Sequence, residues 1–495
     1  MDRLLKWVSL FNKYDEETIS GEVDNSHAYG FLKDEIPLLE CSDEAVEMTY
    51  YFRWWTYRKH LKKTPDGYVI TEFLPKVPWS GRYNTINAPI AHHLREGRWL
   101  KNSVRYLSDY IKFFLSENQS NRRYSVDFIS AIKDVCDVRG ELFFGDDFLE
   151  LACAYYRAWE NERQIKNGMF WSYDGRDAME FSISGTAGMK SVKGLRPTLN
   201  SYMYADAYAI AEFADIYGSD KIKNEYTKKA MHLKEMINKT LFHDGFYKAI
   251  HPRNENFDLI YEKDMSDVPK ELIGYIPWCY KIPEKKYGKC FDLLADEKCF
   301  LAKTGLSTAD QSDRRFLFEA PHECLWNGYV WPFATSQTLN ALRSYIVNYD
   351  ADEKYREMYA DIFCKYALMH RITDENGNVR PWIDEVMHPY RYDWTSRTYL
   401  KNAGWPKDKG GYERGKDYNH STFCDLFITG IAGIVPNAAA PSLIPSIPKD
   451  WEYFKLANLH FKGRLYTVYY DKTGKKYNKG TGAFIEVQNA PCAEL

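Results

Sequence analysis

The chain has 495 residues, of which 45% are hydrophobic and 27% charged, enough for one large packed domain plus an appendage. Its net charge is −3, with basic residues spread along the whole length, which argues against a nucleic acid or an anionic membrane surface as partner. No stretch is apolar over the length of a bilayer.

In chain order, the opening MDRLLKWVSLFNKYDEET is amphipathic, without the apolar run and small-residue cleavage site of a secretion signal. Ten cysteines are scattered from Cys41 to Cys492 with no C-x-x-C pair, which together with the missing signal gives a cytoplasmic expectation. Residues 1–45 read as an N-terminal extension that contributes strands to a C-terminal sheet. Residues 46–435 read as helices joined by long loops, with helices expected at 44–62, 100–116, 220–240, 351–369 and 420–432. The clearest helix is expected from an N-cap at Ser201 to Gly218, where Met203, Ala207, Ile210 and Ala214 form one apolar stripe. Another opens at Gly145-Asp146-Asp147 and carries Leu151, Tyr155 and Ala158. A third follows Pro332 with Leu339, Leu342 and Ile346 at helical spacing. The loops between them (63–90, 168–200, 242–285, 301–328 and 371–417) are too long for a simple bundle and rich in Trp, Tyr, Asp, Glu, Arg and Gly; loops of that kind usually carry function. Residues 436–495 change character. After the proline-punctuated PNAAAPSLIPSIP, alternating residues with a turn at Lys472-Thr473-Gly474 predict a small β appendage.

The 14 Trp and 39 Tyr suit a sugar site, because aromatic faces pack on pyranose C–H faces, although a large helical core also consumes such residues. The segment WSYDGRDAMEFSISG crowds Asp174, Asp177 and Glu180 beside Trp171 and Arg176. A carboxyl desolvated by aromatics keeps its proton and can deliver it to a leaving oxygen. In RPWIDEVMHPYRYDW, Asp384 and Glu385 offer a general base. Trp326-Asn327-Gly328 and Trp331 precede the Pro332 helix and suit a sugar floor. Arg414, Tyr418 and His420 are binding candidates ahead of a helix that Asn419 or Ser421 would cap. Trp79, Tyr83 and Asn84 form an earlier polar-aromatic group; the neighbouring His92 and His93 point apart on a helix and do not make a metal pair. Dinucleotide, P-loop, zinc-protease and esterase motifs are missing, so no cofactor and no metal are expected.

Taken in order, GRDAMEFS, RPTLNSYMYADAYAIAEFA, LWNGYVWP, WIDEVMHP and the 411–430 segment resemble the mannosylglycerate-hydrolase-like glycosidases, and more distantly glycoside hydrolase family 63 and the trehalases. The resemblance implies an all-α (α/α)6 toroid with its active site at the wide end, acting with inversion. It places the general acid in a Gly-x-Asp loop, at Asp177, and the general base four residues before a proline, at Glu385. It also puts Trp326, Gly328 and Trp331 along the sugar site. Two departures stand out: Ala178-Met179-Glu180 follows the acid where relatives commonly have Ser-Pro, and Trp79-Ser80-Gly81 replaces an early Trp-Asp. The expected function is hydrolysis of a small oligosaccharide or glycoside. A sugar epimerase, an inverting phosphorylase and a non-catalytic carbohydrate-binding barrel are the alternatives.

Overall fold

The structure is a computed structural model that describes residues 2–116, 120–145, 147–185, 193–251, 268–374 and 376–489. It is rich in helices, with one four-stranded sheet and several two-stranded ribbons among the described residues.

Local chemistry explains where the main helices start. Glu44–His60 opens on Asp43, whose carboxylate accepts from the N–H groups of Ala45 and Val46, and closes on Arg58, Lys59 and His60, so both ends complement the helix dipole. The helix expected from Ser201 runs instead from Pro197 to Ile216. Pro197 supplies the first turn, where its missing N–H costs nothing, and Ser201 lies buried inside the helix. The stripe of Met203, Ala207, Ile210 and Ala214 is fully buried, and Asp220–Leu241 packs alongside. Pro332–Asn348 likewise starts on its proline.

The last helical segment departs from expectation. It begins at Cys424 and widens into a π-turn over Phe427–Ile431. Neither Asn419 nor Ser421 caps it. Its first N–H groups are met by a carboxylate from another helix: Glu96, on Ile90–Gly97, accepts from Phe423 (3.1 Å), Cys424 (2.9 Å) and Asp425 (2.9 Å). This pins the segment carrying Tyr418 and His420 to the early part of the chain.

The strands Leu38–Cys41, Tyr453–Phe461, Arg464–Asp471 and Gly482–Val487 form one antiparallel sheet in that order, with Leu39 opposite Leu456 and Val468 opposite Ile485. The tight reversal lies at Lys462-Gly463, both at positive φ. The Lys472-Thr473-Gly474 turn opens a longer connector held by Asp471, which accepts from Gly474 and Tyr477. Most of the aromatic excess serves packing: Trp54, Trp99, Trp159 and Trp278 are fully buried, and Phe11 packs on Phe52 and Trp55. No helix among the described residues is long and apolar enough to cross a membrane.

Candidate active site

The loop from Asp174 to Gly185 is built around two carboxylates that point inward and one that does not. Asp177 accepts from Arg196 Nε at 2.6 Å, Ser125 Oγ at 2.7 Å and Ser172 Oγ at 3.0 Å, and its side chain has no exposed surface. Asp174 accepts from the N–H of Gly175 at 2.8 Å and lies so close to Gly185 that a Cβ there would stand 1.9 Å from its Oδ2. Between them the chain takes left-handed backbone at Ala178 (φ 57°) and Phe181 (φ 58°), a conformation that side-chain-bearing residues adopt only when their surroundings enforce it. The enforcement is visible: the Met179 N–H donates to the Asp174 carbonyl and the Trp326 N–H to the Glu180 carbonyl. The two unusual turns aim Glu180 into a cavity.

That cavity, about 180 Å³, is lined by Glu72, Glu180, Glu323 and Glu385 together with Trp79, Trp326, Trp331, Phe333, Arg414, Tyr418 and His420. Its walls are stacked rings: Trp326 on Trp331 at 4.6 Å, Tyr418 on His420 at 3.6 Å, and Phe73 on Tyr418 at 4.6 Å between centroids. The Arg414 guanidinium lies over Trp79 at 4.7 Å and Trp405 at 5.1 Å. Three buried groups are left without a full set of partners among the described residues. Trp326 Nε1, Arg414 Nη1 and both ring nitrogens of His420 lack a well-formed hydrogen bond. Buried donors without protein partners are costly unless water or a ligand meets them, so these groups suit a polar ligand.

The carboxyls differ in electrostatic setting. Burial holds Glu180 near a pKa of about 7, and the charges of Asp174, Glu385 and Glu323 push the same way. Glu385 is also raised by burial but is drawn back by Arg414, whose Nη2 lies 3.3 Å from its Oε2. Cys324 Sγ approaches the same oxygen at 3.7 Å. For Glu323 burial is overcome by Arg414, 2.8 Å away, and the pKa falls. His322, Glu323 and Cys324 bring ligand-type atoms together, but Arg414 occupies Glu323 and would repel a cation. A larger cavity of about 700 Å³ lies beyond the His92–Phe333 ring contact at 4.6 Å. Several of its charges are paired with one another, as in Arg95 with Asp134 and Lys133 with Asp137.

The family described as mannosylglycerate hydrolase MGH1-like glycoside hydrolase domain matches residues 82–421. The chain belongs to this family. Among solved structures, one named sialidase is 31% identical, with a TM-score of 0.86 over 98% of this chain and 43% of its own. The present chain thus spans well under half of that relative. An α-L-rhamnosidase from Dictyoglumus thermophilum is 12% identical at a TM-score of 0.53, covering 89% of this chain and 43% of its own. The family 63 mannosylglycerate hydrolase from Thermus thermophilus, in complex with glucose, is a looser match at 11% identity and a TM-score of 0.48, covering 70% of this chain and 98% of its own. No curated protein matches by sequence.

Within this MGH1-like domain, the cavity gathers Glu385, Trp79, Trp326, Trp331, Arg414, Tyr418 and His420 from the residues singled out in the sequence. Asp177 is not among its lining residues: it is closed off by Arg196. Asp384 is turned away as well, accepting from Ser396 Oγ at 3.2 Å and the Glu385 N–H at 2.8 Å. Asn84 fastens the preceding loop, donating to the carbonyls of Phe73 and Pro75, and Tyr83 donates to Asp66. Trp171 meets Tyr173 edge to face and lies under Lys193, and Arg176 donates to the Arg123 carbonyl. Asn327 donates to the Phe318 carbonyl. Gly328 is needed where its positive φ of 126° meets the Phe316 ring, 2.3 Å from a would-be Cβ. These six outlying residues shape the surroundings and do not line the cavity. Sequence reasoning missed Glu72, an acid inside the apolar run Val69-Ile70-Thr71-Glu72-Phe73-Leu74. A lone carboxyl in such a run was the available signal.

Proposed function

We propose that this domain is an inverting glycosidase built on an (α/α)6 toroid, with Glu180 as general acid and Glu385 as general base. One observation carries the reading: two carboxyls from distant segments line the same aromatic cavity, and only one of them, Glu385, has an arginine beside it. Glu180 faces other acids and keeps its proton to about pH 7, as an acid that protonates a leaving oxygen must. Glu385 lies beside Arg414, which favours the ionised form that a base needs to take a proton from water. The unpartnered Trp326 and Arg414 donors suit sugar hydroxyls. Asp177 then serves to brace the acid loop.

Inversion leaves room for a water molecule, so the two carboxyl groups should stand roughly 6.5–9.5 Å apart in a ligand complex, against about 5 Å for a covalent route. The test is a screen of aryl glycosides and short oligosaccharides, with the first-formed anomer followed by proton NMR. Hydrolysis with inverted product supports the assignment. A retained anomer overturns the mechanism, and failure to hydrolyse any member overturns the function. The structure named sialidase acts, by its name, on an acidic sugar, which makes the charge of the sugar the first question for this cavity.

A further inference from the structure

We propose that Glu72 is a sugar-recognising carboxyl of this cavity and that the cavity selects uncharged or aminated sugars over acidic ones. The inference rests on the glycosidase reading above and deepens it.

Four glutamates line the cavity, and Arg414 is the one lysine or arginine among its lining residues. The single charge of Arg414 is already divided between Glu323 at 2.8 Å and Glu385 at 3.3 Å. Among the described lining residues no lysine or arginine other than Arg414 is left for a carboxylate on the substrate. His420 does not supply one, because burial and the nearby His92, Arg53 and His93 hold its pKa well below the usual histidine range. His322 stands 3.9 Å from Glu323 and already lends its Nδ1 to the Cys324 N–H. With Glu72 and Glu180 both uncharged, Glu323 and Glu385 still outnumber Arg414 by one, so the cavity repels an anion.

Glu72 is placed for recognition. It follows the strand Gly67–Ile70, is 6% exposed, and its Oε1 accepts from the Tyr418 hydroxyl. The N–H of Asn419 donates to its backbone carbonyl, so the residue is fixed at both ends against the segment that carries His420. Tyr418 is its one side-chain hydrogen-bond partner among the described residues, through Oε1, and Glu72 is one of the residues that line the cavity. Burial keeps this carboxyl protonated up to about pH 8, and a neutral carboxyl both donates and accepts, which matches a sugar hydroxyl. A sugar ammonium would instead draw Glu72 into its ionised form as a direct ion pair.

The experiment is calorimetry at pH 6 on Glu180→Gln protein, which keeps the charge of the cavity while slowing turnover. The probes are methyl glycosides of glucose, mannose and galactose, with the matching 2-amino sugars and uronic acids. The expected result is uronic-acid binding at least about tenfold weaker than that of the matching neutral sugar. Adding Glu72→Gln should weaken the neutral and amino sugars by about tenfold, the scale of one lost hydrogen bond in a buried site. Glu72→Asp, which keeps the carboxyl but shortens its reach, should fall between, and circular dichroism verifies folding in each. Equal or tighter binding of a uronic acid, or unchanged affinity in folded Glu72→Gln and Glu72→Asp proteins, overturns the inference alone. Absence of binding by every sugar overturns the glycosidase reading with it.

Discussion

Replacing Asp177 by Asn and Glu180 by Gln tests the proposed division between a bracing carboxylate and a reacting one. Asp177→Asn keeps the shape but removes the negative charge opposite Arg196, whose side chain, like that of Asp177, is wholly buried. Arg196 would keep Ser184 Oγ at 3.0 Å, the Met179 sulfur at 3.4 Å and the amide oxygen at position 177 as acceptors, with Glu271 and Asp174 nearby, but would lose its paired carboxylate. Removing one member of a buried pair strands the other charge and typically costs about 3–5 kcal/mol. For a chain of this size that is a fall of several degrees in Tm and an earlier urea midpoint. Glu180→Gln alters a side chain that burial, helped by the surrounding acids, keeps protonated, so stability should change by less than about 1 kcal/mol. Turnover should nevertheless fall by about 10²–10⁴, the usual worth of general acid catalysis. Glycosides with activated leaving groups should be spared in part, because a good leaving group needs less help from an acid. Thermal and urea unfolding are read beside kcat on alkyl and nitrophenyl glycosides. An Asp177→Asn protein of unchanged stability that cannot turn over, paired with an active Glu180→Gln protein, would refute the reasoning and return the acid to Asp177.

The pH profile of kcat/KM should be a bell. Glu180 must hold its proton, so the alkaline limb falls near pH 7. Glu385 must lose its proton, so the acid limb lies above the ordinary glutamate value of 4.5. Arg414→Met removes the attraction that favours ionised Glu385 and should shift the acid limb upward; a stationary limb would exclude Glu385 as the group observed. Gly185→Ala should damage the acid loop without touching the ligand, because the added carbon would lie 2.2 Å from Asp174 Cγ. Lower kcat and a lower Tm together are expected, and wild-type behaviour in both would show that the loop tolerates the shift.

The sequence made some of this arrangement legible and hid the rest for physical reasons. Periodicity located the buried stripe of Met203, Ala207, Ile210 and Ala214, since a helix packed on one side advertises its spacing. It gave no bounds for Ile90–Gly97, the helix that carries His92 and His93, and missed the helix Phe128–Arg139. In the first of these nearly every residue is buried, including His92, His93 and Glu96, so polar groups satisfied inside the core broke the expected pattern. The cap of the segment at Cys424 was unreadable because Glu96 supplies it from more than three hundred residues away. A one-dimensional capping rule looks only at neighbours.

The same limit governs the acid loop, where Asp174, Asp177 and Glu180 fall within seven residues and composition does not rank them. What ranks them is a partner, Arg196, together with two left-handed residues, Ala178 and Phe181. Alanine and phenylalanine give no sequence hint of positive φ, unlike glycine or asparagine. Without that reversal, three acids in a row of turns would offer three equivalent faces. With it, the backbone turns Glu180 toward Glu385 while the ion pair turns Asp177 away. The direction of a side chain therefore rests on the backbone strain that its neighbours sustain. A catalytic assignment taken from spacing alone goes to the aspartate that matches the Gly-x-Asp pattern, whereas burial and pairing are what support the proposed assignment to the glutamate three residues later.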